Sequence, residues 1–372
     1  VTGVQTCALP IWFTCLFPVR LVDTGTIAGT IKQIKETLRQ VPEGGIGFGM
    51  LTHLAVTEGG EEYLRLPRPR LTFNYLGQFE SQMGEFTPAA EVRGEERDPA
   101  SPLGNWIEIN GQVINGRLEL HWHYSRAMYR AETIESCCGV FRDALLELIA
   151  HCASDDVAGV TPSDFPLAGL NQQQLDALVM SARAIEDIFP LSPLQQGLLF
   201  HSRYAPESTA YINQLALSID GLDSDRFVTA WEHVMARHDV LRSCLLAQDD
   251  AVQPLQIVHK QLALPIEMVD WRERLVTSEM LMDYCEQTLR RGFDLTHPPL
   301  WHLVLLRLSA ARYYMIWTSH HLLLDGWSSS ALLGEVLEIY GNEDAKRSPA
   351  LRYRDYIAWL GKRGTAASES FW

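Results

Sequence analysis

The chain has 372 residues, 47% hydrophobic and 21% charged, which is enough for two domains or large lobes with full cores. Its formal charge of −15, from 31 basic and 46 acidic residues, argues against nucleic acid or an anionic membrane as partner. No apolar run reaches transmembrane length, and seven cysteines without metal or redox spacing read as reduced thiols of a cytoplasmic protein.

Residues 1–11 (VTGVQTCALPI) have no basic start and no long apolar stretch, so they are not a signal peptide. They read as a translated sequencing-library adapter, which puts the first natural residue at Trp12. The other end, Ser370-Phe371-Trp372, reads as a chain cut in mid-domain.

Trp12 to Val19 reads as a hydrophobic strand ended by Pro18. The spacing of Ile27, Ile31, Ile34 and Leu38 predicts an amphipathic helix. Val41 to Gly49 then carries four glycines. No Lys-Ser/Thr follows them, so a close-packed Gly-rich turn fits better than a phosphate loop. Leu71 to Gln78 reads as a strand with a polar Asn74-Tyr75 pair, for which a buried tyrosine with a satisfied hydroxyl is the plain alternative. A hairpin turns at Asn115-Gly116, and its second strand alternates Leu118, Leu120, Trp122 and Tyr124. A helix through Ile134, Cys138, Phe141, Leu145, Leu148 and Ile149 follows. Asp164 to Ala184, rich in Pro, Gly, Asn and Gln, reads as a connector with one short helix over Gln172 to Met180.

Four stretches carry a resemblance: the Trp12-Phe13-Thr14 strand, the glycine turn from Pro42 to Gly49, Phe73-Asn74-Tyr75-Leu76-Gly77, and Thr161-Pro162-Ser163-Asp164-Phe165. In this order they resemble the C-terminal lobe of an epimerization domain from non-ribosomal peptide synthetases. That family has tyrosine where Phe48 stands and glycine where Ile11 stands. The resemblance implies that Asn74 and Tyr75 line the epimerase cleft. It places the family's catalytic histidine and glutamate upstream of Trp12.

Phe189 to His201 opens a new unit, with Ser192 a good N-cap and Pro193 at the first helical position. His201, near the end of that helix, is better explained by the helix dipole than by catalysis. Tyr211 to Ile219 reads as a strand, and Phe227, Val228, Trp231, Val234 and Met235 as an amphipathic helix running into Arg237-His238-Asp239-Val240-Leu241-Arg242. These charges suit a solvated helix end. Arg242 or Arg237 is also a candidate partner for a buried carboxylate at Asp325.

The strand pair Leu300 to Leu308 and Tyr313 to Ser319 ends in Ser319-His320-His321-Leu322-Leu323-Leu324-Asp325-Gly326-Trp327-Ser328. Alternation along a strand puts Trp317, Ser319 and His321 on one face, and Thr318 and His320 on the other. The Asp325-Gly326 pair predicts a sharp turn, with Ser328 capping a helix through Leu332, Leu333, Val336, Leu337 and Tyr340. A zinc site is disfavoured because adjacent histidines diverge and no Cys or Glu stands at ligand spacing.

His-His-x-x-x-Asp-Gly-Trp-Ser, after Arg-His-x-x-Leu-Arg, resembles a condensation domain of the same synthetases. The opening Leu191 to His201 is similar to the subtype that accepts a D-configured donor, which agrees with an epimerization lobe upstream. The implied α/β fold is two chloramphenicol-acetyltransferase-like lobes, each a mixed sheet covered by helices. Residues 12–166 would be the epimerization lobe, 167–183 a linker, and 184–372 a truncated first lobe of the condensation domain.

By resemblance, His321 is catalytic with His320, Asp325 and Gly326 beside it. His321 either takes the ammonium proton or, preferably, holds the attacking amine and steadies charge. Asp325 fixes the loop, and Gly326 leaves room for a phosphopantetheine arm. No cofactor or metal is bound directly, since substrates ride on carrier proteins, with adenylation domains as further partners. This chain alone is expected to catalyse neither reaction. A carrier-docking scaffold and a free-standing acyltransferase using acyl-coenzyme A are the competing readings.

Overall fold

The computed structural model describes residues 17–53, 70–79, 105–154, 159–178, 184–205, 208–246, 253–342 and 348–363. The adapter-like residues 1–11, and Trp12 to Leu16 of the expected first strand, lie outside them. The chain divides into two compact units, residues 1–157 and 158–372. Each contains a mixed sheet with helices against it, the α/β arrangement the sequence implied.

In the first unit, α1 (Ile27–Arg39) is capped by Thr26, whose side chain accepts the Gly29 N–H. Ile27, Ile31 and Ile34 are half-buried and Leu38 is exposed. The glycine stretch is not a simple turn. It forms a 3-10 turn, Pro42–Gly45, that continues into α2 (Ile46–His53). Gly45 has φ +84°, and a Cβ there would collide with the Phe17 ring, so only glycine fits.

Strand β1 (Leu71–Phe79) runs parallel to β2 (Ile107–Ile114), and β2 pairs antiparallel with β3 (Arg117–Tyr124). The β2–β3 turn is the Asn-Gly pair, with φ +51° at Asn115 and +75° at Gly116. Helix α3 (Ala131–Ala153) lies against this sheet, its Phe141 ring 6.2 Å from Phe73 and 5.9 Å from Trp122.

The second unit begins with the segment expected to be a connector. Thr161 and Asp164 form a reciprocal capping box around a 3-10 turn, and a short α4 (Gln172–Asp176) follows. Phe165, Leu170 and Leu175 bury into the same core as the helices and sheets that come after. The segment is packed despite its polar composition.

Two sheets follow. One is antiparallel, ordered β4 (Ile185–Pro190), β7 (Leu255–His259), β6 (Ser243–Leu245). The other is mixed, ordered β5 (Ile212–Asp220), β10 (Arg312–His320), β9 (Trp301–Arg307), β8 (Ile266–Asp270), with β8 and β9 parallel. Side-chain alternation splits the mixed sheet into two faces. Leu303, Leu305, Met315 and Trp317 join the main core, while Val304, Leu306 and Ile316 pack with α7 (Ser278–Arg290). Around that core stand α5 (Pro193–Tyr204), α6 (Ser224–Arg237) and α8 (Gly326–Gly341). Trp231 of α6 stacks on Trp301 at 5.1 Å between ring centroids.

Helix α9 (Tyr353–Arg363) is held at β4 by ion pairs. Arg354 meets the buried Asp187 at 2.6 Å and Arg352 meets Glu186 at 2.9 Å. The described residues contain no helix long and apolar enough to cross a membrane.

Candidate functional site

Strand β10 ends at His320, and its register against β5 pairs His320 with Ile212 and Ser319 with Asn213. The His321 N–H donates to the carbonyl of Tyr211, the residue just before β5, at 2.7 Å, which fixes the chain as it leaves the sheet. Gln195, buried near the start of α5, donates from Nε2 to the Leu322 carbonyl at 3.0 Å and ties the loop to that helix. Leu322, Leu323 and Leu324 are buried. The turn between the two histidines and α8 is therefore anchored from both sides.

The histidines diverge as strand alternation requires. His320 is 5% exposed; its Nδ1 accepts the Leu322 N–H at 3.1 Å, and its Nε2 lies 3.5 Å from the Ser202 hydroxyl. Burial, helped by the neighbouring His321, pulls its pKa down to about 4, so it is neutral at physiological pH. His321 faces a cleft of about 280 Å³ lined by Asn213, Trp317, Ser319, Gly326, Ser329 and Ser330 among others.

The His321 ring has a defined proton arrangement. Its Nδ1 lies 2.8 Å from the Leu324 carbonyl oxygen, which can only accept, so Nδ1 carries the hydrogen. In the neutral ring this leaves the lone pair on Nε2. A neutral imidazole in this form is a hydrogen-bond acceptor or a base.

Asp325 does not match the buried ion pair expected for it. It is exposed and acts as the N-cap of α8, accepting the Ser328 N–H at 2.7 Å. That N–H, and then the Ser328 hydroxyl, hold its carboxyl below the usual carboxylate range. The cap is thus Asp325 and not Ser328, and Gly326 is the first helical residue and not the apex of a turn. A Cβ built on Gly326 meets nothing within 4 Å, which leaves that rim of the cleft open.

The two candidate cations are engaged elsewhere. Arg242 is buried and bonds Glu186 at 2.7 Å, with the Met235 and His259 carbonyls as further acceptors. Arg237 pairs with Glu335 at 2.6 Å, and that carboxylate also meets His238 at 2.7 Å. A capping carboxylate that sees solvent needs no buried counter-ion.

In the first unit, Asn74 donates from Nδ2 to the Asn110 side chain at 3.3 Å, and Tyr75 is 53% exposed, so the plain buried-tyrosine alternative does not hold. His201 is exposed in the last turn of α5, its ring 5.9 Å from that of Tyr211. The sequence motifs do not reveal Asn213, Ser329 and Ser330. Pairing β5 against β10 would have found Asn213, and counting one helical turn from Gly326 would have found the serines. Among the described residues, no group of three His, Cys, Asp or Glu is placed to hold a metal.

Comparison with known proteins gives this geometry a family. A linear gramicidin synthase from Brevibacillus parabrevis is 35% identical across 100% of this chain, which covers 7% of that protein. A mycosubtilin synthase from Bacillus subtilis is 33% identical over 97% of this chain and 14% of its own length. The chain therefore spans a small fraction of the curated relatives it matches. The starter condensation domain of rhizomide synthetase RzmA aligns with a TM-score of 0.45 and 18% identity, over 50% of this chain and 48% of that one. The condensation domain family model matches residues 11–166 and 185–372, almost the whole sequence, and the chain belongs to that family.

Proposed function

We propose that the second unit joins two carrier-bound units in a non-ribosomal peptide synthetase, with His321 as the central residue. The observation behind this is the His321 ring, which lines the cleft while its Nδ1–H is held by the Leu324 carbonyl. The reaction is attack of an α-amino group on a thioester. A carbon–nitrogen bond forms, the carbon–sulfur bond breaks, and the amine loses a proton as the pantetheine thiol leaves protonated.

An α-amino group titrates near ~8 in water, so a useful fraction is neutral without help. His321 Nε2 then accepts a hydrogen bond from the attacking amine and steadies the positive charge that develops on it; proton removal is its secondary role. Asp325 fixes the first turn of α8 and does not touch substrate. Gly326 keeps the rim open for a pantetheine arm.

The first unit belongs, in this reading, to the epimerization step that supplies a D-configured donor. Asn74 and Tyr75 line its cleft. Residues 12–166 and 184–372 make up the epimerization and condensation parts. The partners are carrier proteins and adenylation domains in the cytoplasm, and no cofactor is bound directly. The supports are the motif order along the sequence and the named synthetases among the relatives.

The test is reconstitution with the synthetase that carries this chain, its donor carrier loaded chemically with matched L or D residues and its acceptor carrier loaded with the next amino acid. Dipeptide formed preferentially from the D donor is expected. Dipeptide from neither donor would overturn the function, and an L preference would overturn the coupling to epimerization.

A further inference from the structure

Asn213 lies one position from the end of β5's pairing with β10, opposite Ser319 and diagonal to His321 on the same face. Its carboxamide nitrogen lies 3.2 Å from His321 Nδ1. Nδ1 carries the hydrogen that goes to the Leu324 carbonyl at 2.8 Å, so an amide NH2 at this point would set donor against donor. Rotating the amide by half a turn exchanges its oxygen and nitrogen in the same volume and satisfies both groups. The Nδ1 hydrogen is then shared between two acceptors, a backbone carbonyl and a side-chain oxygen.

The loop alone supplies the first acceptor, Leu324. Asn213 comes from a different strand and lines the cleft itself. We infer that Asn213 is a positioning residue: its side-chain oxygen, with the Leu324 carbonyl, holds His321 in the Nδ1–H form and aims Nε2 at the attacking amine. This rests on the reading of His321 as the catalytic residue. Among the described residues lining the cleft, His321 is the sole titratable group; the neutral His320 lies behind the strand, and the Asp325 carboxylate is across the loop.

The test separates the ring's proton arrangement from the chemistry. Imidazole nitrogen NMR on the ¹⁵N-histidine-labelled 372-residue chain, with His321 assigned by subtracting a His321→Asn sample, should show a protonated Nδ1 and an unprotonated Nε2. Asn213→Ala should move the ratio of the two neutral forms toward Nε2–H about fivefold, the worth of one neutral hydrogen bond. Asn213→Asp, which keeps an acceptor of the same shape, should restore the Nδ1–H form. In the synthetase, Asn213→Ala should lower kcat about tenfold with the KM for the acceptor carrier unchanged.

An unchanged ratio in Asn213→Ala, or a parent already in the Nε2–H form, overturns the inference. A shifted ratio in Asn213→Ala beside a fully active His321→Ala synthetase would uphold the positioning of the ring and overturn the catalytic reading beneath it.

Discussion

Asp325→Ala distinguishes a capping carboxylate from a buried ion-pair partner. The side chain accepts the Ser328 N–H at 2.7 Å and is exposed. Losing an N-cap of this kind costs about 1 kcal/mol, within a range of roughly 0.5–2. For a unit of this size, that lowers Tm by about 2–4 °C. Asp325→Asn should recover most of it, because asparagine caps as well as aspartate. The pH dependence has a definite sign. The folded-state pKa lies below the ordinary value, so the contribution is complete above about pH 4 and disappears as pH falls through the folded value. Parent and Asp325→Ala should therefore differ by a constant amount from pH 8 to pH 5 and converge in stronger acid. The assay is thermal unfolding followed by circular dichroism across that range. A loss of about 3–5 kcal/mol would mean a stranded buried partner and refute the capping account. A parental melt with no activity would instead put Asp325 in contact with the substrate.

Arg242→Met should cost about 1–3 kcal/mol in denaturant unfolding, because the Met235 and His259 carbonyls lose their shared donor while Glu186 keeps Arg352. Parental stability would show that the buried guanidinium contributes nothing. His320, with its pKa held at about 4, contributes stability that is complete above its unfolded value of about 6.5 and is lost as pH falls toward 4. His320→Asn should flatten the decline of Tm over that window, and an unaltered slope would contradict the burial argument. Gly326→Leu should leave the melt within about 1 kcal/mol of the parent, since a Cβ there meets no neighbour, while lowering kcat/KM by obstructing the cleft. Unimpaired turnover would remove Gly326 from the substrate path.

Where local chemistry decides the structure, the sequence was a reliable guide. Alternation alone separated His320 from His321 and put Trp317 and Ser319 beside the latter. The Asn115-Gly116 pair marked its hairpin because the turn needs two positive φ angles, which these residues adopt readily. What could not be read were choices made at long range. Arg242 finds Glu186 across 56 positions of sequence, on a strand of another part of the unit, and nothing near either residue announces it.

Asp325 and Ser328 are both good caps three residues apart. The hydrogen bond between them, not the residue types, decides which of them begins α8. The packing of the connector is hidden for a related reason. Phe165, Leu170 and Leu175 are few and scattered, but a core formed by later elements accepts them. The Asn213 contact with His321 likewise depends on strand register, which no single stretch of sequence fixes.

The most direct measurement is the single-turnover rate of dipeptide formation by the synthetase carrying His321→Ala, with donor and acceptor carriers preloaded and the product quenched on a millisecond scale. Loss of a group that hydrogen-bonds the amine and accepts its proton should slow the chemical step about 10²- to 10⁴-fold. Carrier affinity and the thermal melt should stay parental. A rate within a factor of about two of the parent, in a folded protein that still binds both carriers, would contradict the assignment of His321.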